Sequence, residues 1–146
     1  MASPLRVTFV MGSWPASDLD ARLPEVRAVL GPLLEALVQV DCAYLLRHPR
    51  TPRLYQSGVR YQREAPGLED WQDIPTCLER RVADCEDLGC WLVAERRVFD
   101  RDPTARPNVT MRRRRAGGWL FHIKDISSRF GVEDPSALLG MRGSDG

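Results

Sequence analysis

The side chains best able to carry covalent chemistry are four cysteines, Cys42, Cys77, Cys85 and Cys90, and two histidines, His48 and His122. Cysteine attacks a carbonyl only as the thiolate, and a thiol in the first turn of a helix has its pKa lowered by the dipole and the unpaired N–H groups there. Cys85 directly follows Asp84, a natural N-cap, at the head of an apolar-periodic stretch, so it is the candidate nucleophile. Cys90 falls one turn deeper, Cys77 inside a short predicted helix and Cys42 in a long one, where free cysteine serves as a small buried hydrophobe. Gaps of 35, 8 and 5 residues between the four match no zinc-binding spacing.

A nucleophilic thiol needs a base. His48 lies in a Pro- and Arg-rich loop with nothing to orient its ring, whereas His122 lies in a predicted strand that follows the Cys85 helix. On that strand Leu120, His122 and Lys124 share one face, and Trp119, Phe121, Ile123 and Asp125 share the other, so Asp125 cannot hold the His122 ring. If Ser127-Ser128-Arg129 form a three-residue turn, Asp134 stands directly across from His122, near enough for its carboxylate to fix the imidazole tautomer. A two-residue turn brings Glu133 to that position instead.

Several elements must position these residues. Leu5 to Met11 reads as a short buried strand stopped by Gly12 and Pro15. Val26, Val29, Leu30, Leu33, Leu34, Leu37 and Val38 mark one face of a helix from about Pro24 to Leu46, which Gly31-Pro32 kinks or splits. Gly58 to Arg63 reads as a strand, Pro75 to Arg81 as a short helix, and Cys85 to Val98 as a helix with one apolar stripe through Leu88, Trp91 and Leu92. Three strands follow, Val109 to Arg115, Trp119 to Ile126 and Phe130 to Asp134, joined by turns at Ala116-Gly117-Gly118 and Ser127-Ser128-Arg129. Helices followed by an antiparallel sheet predict an α+β domain, with residues Arg142 to Gly146 as a frayed tail.

Length and composition agree with a single domain over 1–146: 146 residues, 43% hydrophobic and 28% charged, need neither disulfides nor a structural metal to hold a core. A net charge of +1 supplies no global field toward nucleic acid or membrane. The basic run Arg112 to Arg115 is the local exception, and strand alternation splits it between two faces, so nucleic acid is not expected as a partner. Met1 to Val10 lacks the features of a signal peptide, and no 18-residue apolar stretch is expected anywhere in the chain, so a cytoplasmic protein with reduced thiols and no membrane partner is expected.

Trp71, Ile74-Pro75, Leu78 and Asp84-Cys85-Glu86-Asp87-Leu88 together resemble the nucleophile segment of bacterial transglutaminase-like cysteine proteinases. Phe121-His122-Ile123 resembles that superfamily's histidine strand and Glu133-Asp134-Pro135-Ser136 its Asp-Pro strand, so the resemblance covers about Tyr55 to Met141, after an N-terminal strand and helix over 5–47. It departs at Ala83, where glycine is common, and at Gly89, where alanine is usual. The resemblance implies a papain-like fold with helices packed on an antiparallel sheet and the nucleophile at a helix N-terminus. It also implies a setting like that of small members encoded among the structural genes of tailed phages, virion-associated, with protein or peptide substrates and phage structural proteins as the implied partners. In the biofilm-adhesin-cleaving branch, acidic residues flanking the cysteine bind calcium, and Asp84 and Glu86 occupy the matching positions.

Three carboxylates, Asp84, Glu86 and Asp87, would push the thiol pKa up. The helix dipole, Arg80 and Arg81, or a bound calcium are the available offsets, although two ligands fall short of calcium's six to eight. No cofactor is otherwise required. Trp71 is either a wall of the substrate pocket or a core tryptophan, and the Cys85 backbone N–H is the expected oxyanion donor, with the second donor unassigned. These residues predict peptide or amide hydrolysis through a thioester acyl-enzyme. Transglutamination or deamidation uses the same groups, and an inactive virion or nucleic-acid interaction module built on Arg112 to Arg115 is the reading from another class.

Overall fold

The longest apolar-periodic stretch folds as helix α1, Leu23–Arg47, and it runs unbroken through Pro32. The protein, as a computed structural model, is described for residues 23–65, 70–113 and 119–142. The expected strand Leu5 to Met11, the turn Ala116-Gly117-Gly118, and Arg114 and Arg115 lie outside those residues. Val26, Leu34, Val38, Asp41 and Leu45 form the buried stripe of α1, while Val29 faces outward. Polar ties hold the helix in place: Arg27 Nε donates to the Val109 carbonyl at 3.0 Å, Arg97 pairs with Glu35, and Asp41 Oδ1 accepts the Ile74 N–H at 2.9 Å. By length and composition the helix Pro24–Arg47 also holds an 18-residue stretch apolar enough to cross a membrane, with a mean hydropathy of 1.5, which corrects the expectation that no such stretch exists.

Helix α2, Ile74–Arg80, starts on Asp73, whose side chain accepts the Thr76 N–H, with proline in the first turn where its missing N–H costs nothing. It ends on Arg81 at φ 67, which turns the chain into strand β2, Val82–Ala83. Strand β1 is only Arg60–Tyr61, shorter than Gly58 to Arg63, and it pairs with β2 in parallel, a pairing absent from the sequence reading.

Helix α3 covers Cys85–Val98 as expected, but it has no single apolar stripe. Every residue from Cys85 to Arg96 is buried. One side joins Leu45, Leu54, Ile74 and Leu139 through Leu88, Trp91 and Leu92, and the other joins Leu34, Val38, Val109 and Ile123 through Cys85, Cys90 and Val93. A helix covered on all sides can carry charge only where each charged group has a partner. Glu95 accordingly accepts the Leu54 N–H at the start of a 3-10 turn, Leu54–Gln56.

Strands β3, Arg106–Arg113, β4, Trp119–Ser127, and β5, Gly131–Glu133, form an antiparallel sheet in chain order, and α4, Pro135–Leu138, follows. The described elements are thus four helices and two small sheets, an α+β arrangement. The β4–β5 register differs from expectation by two residues. Asp125 pairs with Glu133 and Ser127 with Gly131, so the turn is Ser128 to Phe130 and not Ser127 to Arg129. Ser127 Oγ causes the difference by accepting the N–H groups of Arg129 and Phe130, both at 3.0 Å, and Gly131 takes the positive φ of 75° at which the strand resumes.

Several interior carboxyls titrate above their ordinary range. Burial lifts Glu95 to about 7 against the opposing Leu54 N–H, lifts Asp87 to about 8 and moves Asp41 in the same direction. A carboxyl whose folded pKa exceeds its unfolded value stabilises the fold fully below the unfolded value, and loses that contribution as pH climbs through the folded one. The melting temperature should therefore fall as pH rises from about 4 to 8. Glu95→Gln, which keeps an acceptor for Leu54, should flatten that slope when melting is followed by circular dichroism. An unchanged slope would show that folding leaves the Glu95 carboxyl at its ordinary pKa.

Candidate active site

Asp84 caps α3, and its reciprocal partner in the capping box is Asp87, whose Oδ2 accepts the Asp84 N–H at 3.1 Å. Asp87 Oδ1 meanwhile accepts the Gln72 N–H at 2.7 Å, so one buried carboxyl fastens the helix start to the segment that carries Trp71. Trp71 is partly buried and packs on the cluster containing Cys85. Both oxygens of Asp84 are occupied: Oδ1 accepts the Cys85 N–H at 2.7 Å and Oδ2 the Glu64 N–H at 3.2 Å. The Cys85 N–H, expected to face an oxyanion, is therefore engaged by the cap.

The Cys85 thiol is 9% exposed and donates to Glu86 Oε2 at 3.2 Å. Burial, then the charges of Glu86 and Asp84, push its pKa well above the ordinary thiol value, while the Ile123 backbone N–H facing the sulfur opposes the rise. This reverses the direction expected from the helix dipole. The dipole acts on any first-turn group, but desolvation of a thiolate inside a packed core outweighs it. Nor do the nearby arginines offset the acids. Arg81 Nη1 is spent on the Ser57 carbonyl at 2.9 Å, and Arg80 acts on Cys77. Cys77 and Cys90 are buried and Cys42 is half-buried, all with raised pKa values led by burial.

His122 and Asp134 meet as the face argument requires, though by another route. In the observed register Asp134 would fall opposite Lys124, two residues from His122 and on the same face. Instead β5 ends at Glu133, and Asp134 becomes the N-cap of α4. From there Oδ2 reaches His122 Nε2 at 2.8 Å, while Oδ1 accepts the Ala137 N–H at 3.3 Å. An ionised carboxylate only accepts, so Nε2 carries the proton and Nδ1 is the basic nitrogen. Asp125 points the other way, with Oδ2 2.7 Å from Arg96 Nη1, and Glu133 also pairs with Arg96. His48 stacks on Tyr44 with ring centroids 4.4 Å apart, away from this group.

Among the described residues, then, the imidazole is held by Asp134 and the thiol by Glu86, and no hydrogen bond joins sulfur to ring. The two side chains belong to neighbouring backbone, because the sulfur faces the N–H of Ile123, the residue after His122. Gly89 allows this approach: a Cβ there would stand 2.9 Å from Ile123 Cγ2. The Ile123 N–H is the site group that sequence reading missed, and Glu86, expected there as a calcium ligand and a repelling charge, is instead the acceptor of the thiol. A carboxylate adjacent to the cysteine was visible as a repelling charge, but its role as hydrogen-bond acceptor depends on the shared burial.

Ligand atoms of Asp84, Cys85 and Glu86 lie within 4.8 Å of one another. The set does not fit calcium, which takes six to eight hard oxygens: it offers two carboxylates and a soft thiol, and both Asp84 oxygens already accept backbone N–H groups.

Glu86→Gln should remove the negative charge that raises the thiol pKa. Alkylation of Cys85 by iodoacetamide at pH 7, followed by peptide mass spectrometry, should be slow in the native protein and faster by about an order of magnitude in the variant. Equal rates in both would mean that Glu86 does not control the thiol.

No protein-family model matches the chain, no curated protein matches it, and no solved structure matches it, so the chemistry of the site is argued from its own geometry.

Proposed function

We propose that the chain is a cysteine hydrolase of the papain-like, transglutaminase-like class that cleaves peptide or amide bonds through a thioester. The observation that carries this reading is the 2.8 Å contact between His122 Nε2 and Asp134 Oδ2, on the strand whose Ile123 N–H faces the sulfur of Cys85 at the head of a capped helix. A carboxylate-oriented imidazole, on the strand whose backbone faces a first-turn cysteine, supplies the base and the nucleophile that such catalysis needs.

In the proposed cycle the substrate displaces Glu86 from the thiol, and His122 Nδ1 accepts the thiol proton. The thiolate then attacks the carbonyl carbon, and its charge is eased by the Ile123 N–H as it forms. His122 returns the proton to the leaving amine as the C–N bond breaks. Water, deprotonated by the same nitrogen, attacks the thioester, and the acid departs with the thiol regenerated. Asp134 holds the ring throughout. The hydrogen bond from Cys85 to Glu86 describes a resting thiol, so the protein rests in a latent form. A lysine amine in place of water would give acyl transfer by the same groups. Protein substrates, and a cytoplasmic or virion-associated setting, belong to this proposal through the family resemblance.

Amine release from a denatured-protein digest or a peptide-amide pool tests the reading. Cys85→Ala should abolish it while leaving the melting temperature within a few degrees. Asp134→Asn keeps a cap for Ala137 and disturbs the tautomer, so it should lower kcat by about two orders of magnitude or more. Release that persists in Cys85→Ala would sink the proposal.

A further inference from the structure

We propose that Arg96 is the positioning residue that joins the three parts of the site, an inference that rests on the hydrolase reading above. Arg96 lies on α3, the helix headed by Cys85, and its side chain is 6% exposed. Nη1 stands 2.7 Å from Asp125 Oδ2 on β4, the strand of His122, and Nη2 stands 2.9 Å from Glu133 Oε2 on β5, the residue directly before Asp134. The guanidinium also covers the Phe130 ring at 4.6 Å, in the turn between the two strands. The Tyr55 hydroxyl donates to the same Glu133 oxygen at 2.9 Å, bracing it from the side of the 3-10 turn.

One planar group therefore ties the helix of the nucleophile to the strand of the base by an ion pair with Asp125, and to the strand end that delivers the orienting carboxylate by a hydrogen-bonded ion pair with Glu133. Arginine suits this because its delocalised charge is spread over separate nitrogens, so Nη2 can hydrogen-bond one carboxylate while Nη1 stays paired with another, whereas lysine offers a compact charge that serves one partner well at a time. Glu133 is held on one side of the backbone and Asp134 reaches His122 from the next residue. A loosened Glu133 would thus let the end of β5 slide, and the 2.8 Å contact with His122 would lengthen. Positions further along an element matter here because bond-making geometry tolerates errors well below an ångström or so.

Two variants test this. Arg96→Lys keeps the charge and loses the fork. Glu133→Ala cuts the β5 arm, together with the Tyr55 contact to the same carboxylate, and leaves the Arg96–Asp125 pair closed, so it keeps the test decisive should Arg96→Lys fail to fold. The control is Arg53→Ala, which removes a more exposed arginine–carboxylate pair, with Asp100, that makes no contact with Asp125, Glu133 or Asp134. The first readout is the imidazole Nε2–H resonance of His122 in proton–nitrogen NMR, which needs no turnover. It should be observed in the native protein and in Arg53→Ala, and be lost to exchange in Glu133→Ala and in folded Arg96→Lys. The second is amide hydrolysis, where both site variants should lose about tenfold to a hundredfold in kcat with KM little changed. Retention of the resonance in Glu133→Ala, or an equal loss in Arg53→Ala, overturns the inference. If the native protein hydrolyses nothing, the hydrolase reading fails by itself, and the resonance still decides whether Arg96 and Glu133 position Asp134 on His122.

Discussion

Helix α3 lies this close to β4 where residue 89 has no side chain. A Cβ at Gly89 would stand 2.9 Å from Ile123 Cγ2, inside any ordinary carbon contact, so even alanine would force the Ile123 side chain or the helix to shift. Cys85 lies one helical turn before Gly89 on the same face, and the spacing that suits Gly89 to the Ile123 side chain also brings the sulfur to the Ile123 N–H. The glycine that looks out of place in the sequence is thus the condition for the site. The same approach fixes the distance at which Arg96, further along the helix, meets Asp125 and Glu133.

What could be read from sequence was whatever depends on short-range chemistry. The limits of α3, its Asp84 cap and the first-turn place of Cys85 follow from capping and periodicity alone. The pairing of His122 with Asp134 was legible as a statement about faces, and it survives a two-residue register shift because β5 ends at Glu133 and Asp134, as the cap of α4, still reaches the ring. The register itself depended on Ser127 Oγ capturing two turn N–H groups and on Gly131 taking positive φ. The glycine was visible, but the serine's choice among partners was not.

The thiol was misjudged for a different reason. Its pKa depends on how many neighbours exclude water from it, and those neighbours, Leu34, Val38, Val109 and Ile123, come from three separate elements. No local pattern reports that sum. The uniform burial of α3 escaped notice likewise, because Glu86, Asp87, Glu95 and Arg96 read as a solvated face until their partners are known. Each of these charges meets a group brought in from elsewhere in the fold or from the helix's own capping residues. The interior is accordingly held by directed polar contacts as well as by apolar packing, and such contacts tend to select one arrangement over its near alternatives.

Because α3 is enclosed on every side, its covering is divided in time. A chain is made from its N-terminus, so α1 and α2 are available when Cys85–Val98 emerges, but β3, β4 and β5 are not. Through that interval the face bearing Cys85, Gly89 and Val93 has no strand to lie on, and Arg96 has neither of its carboxylates. A nascent α3 is therefore a sticky, half-covered helix with an unguarded thiol. Its exposure ends only when the β3–β4–β5 meander has been synthesised and closes over it. The speed of that closure, set by a hairpin of near-neighbour contacts, governs how much of the newly made chain aggregates or is oxidised before it folds.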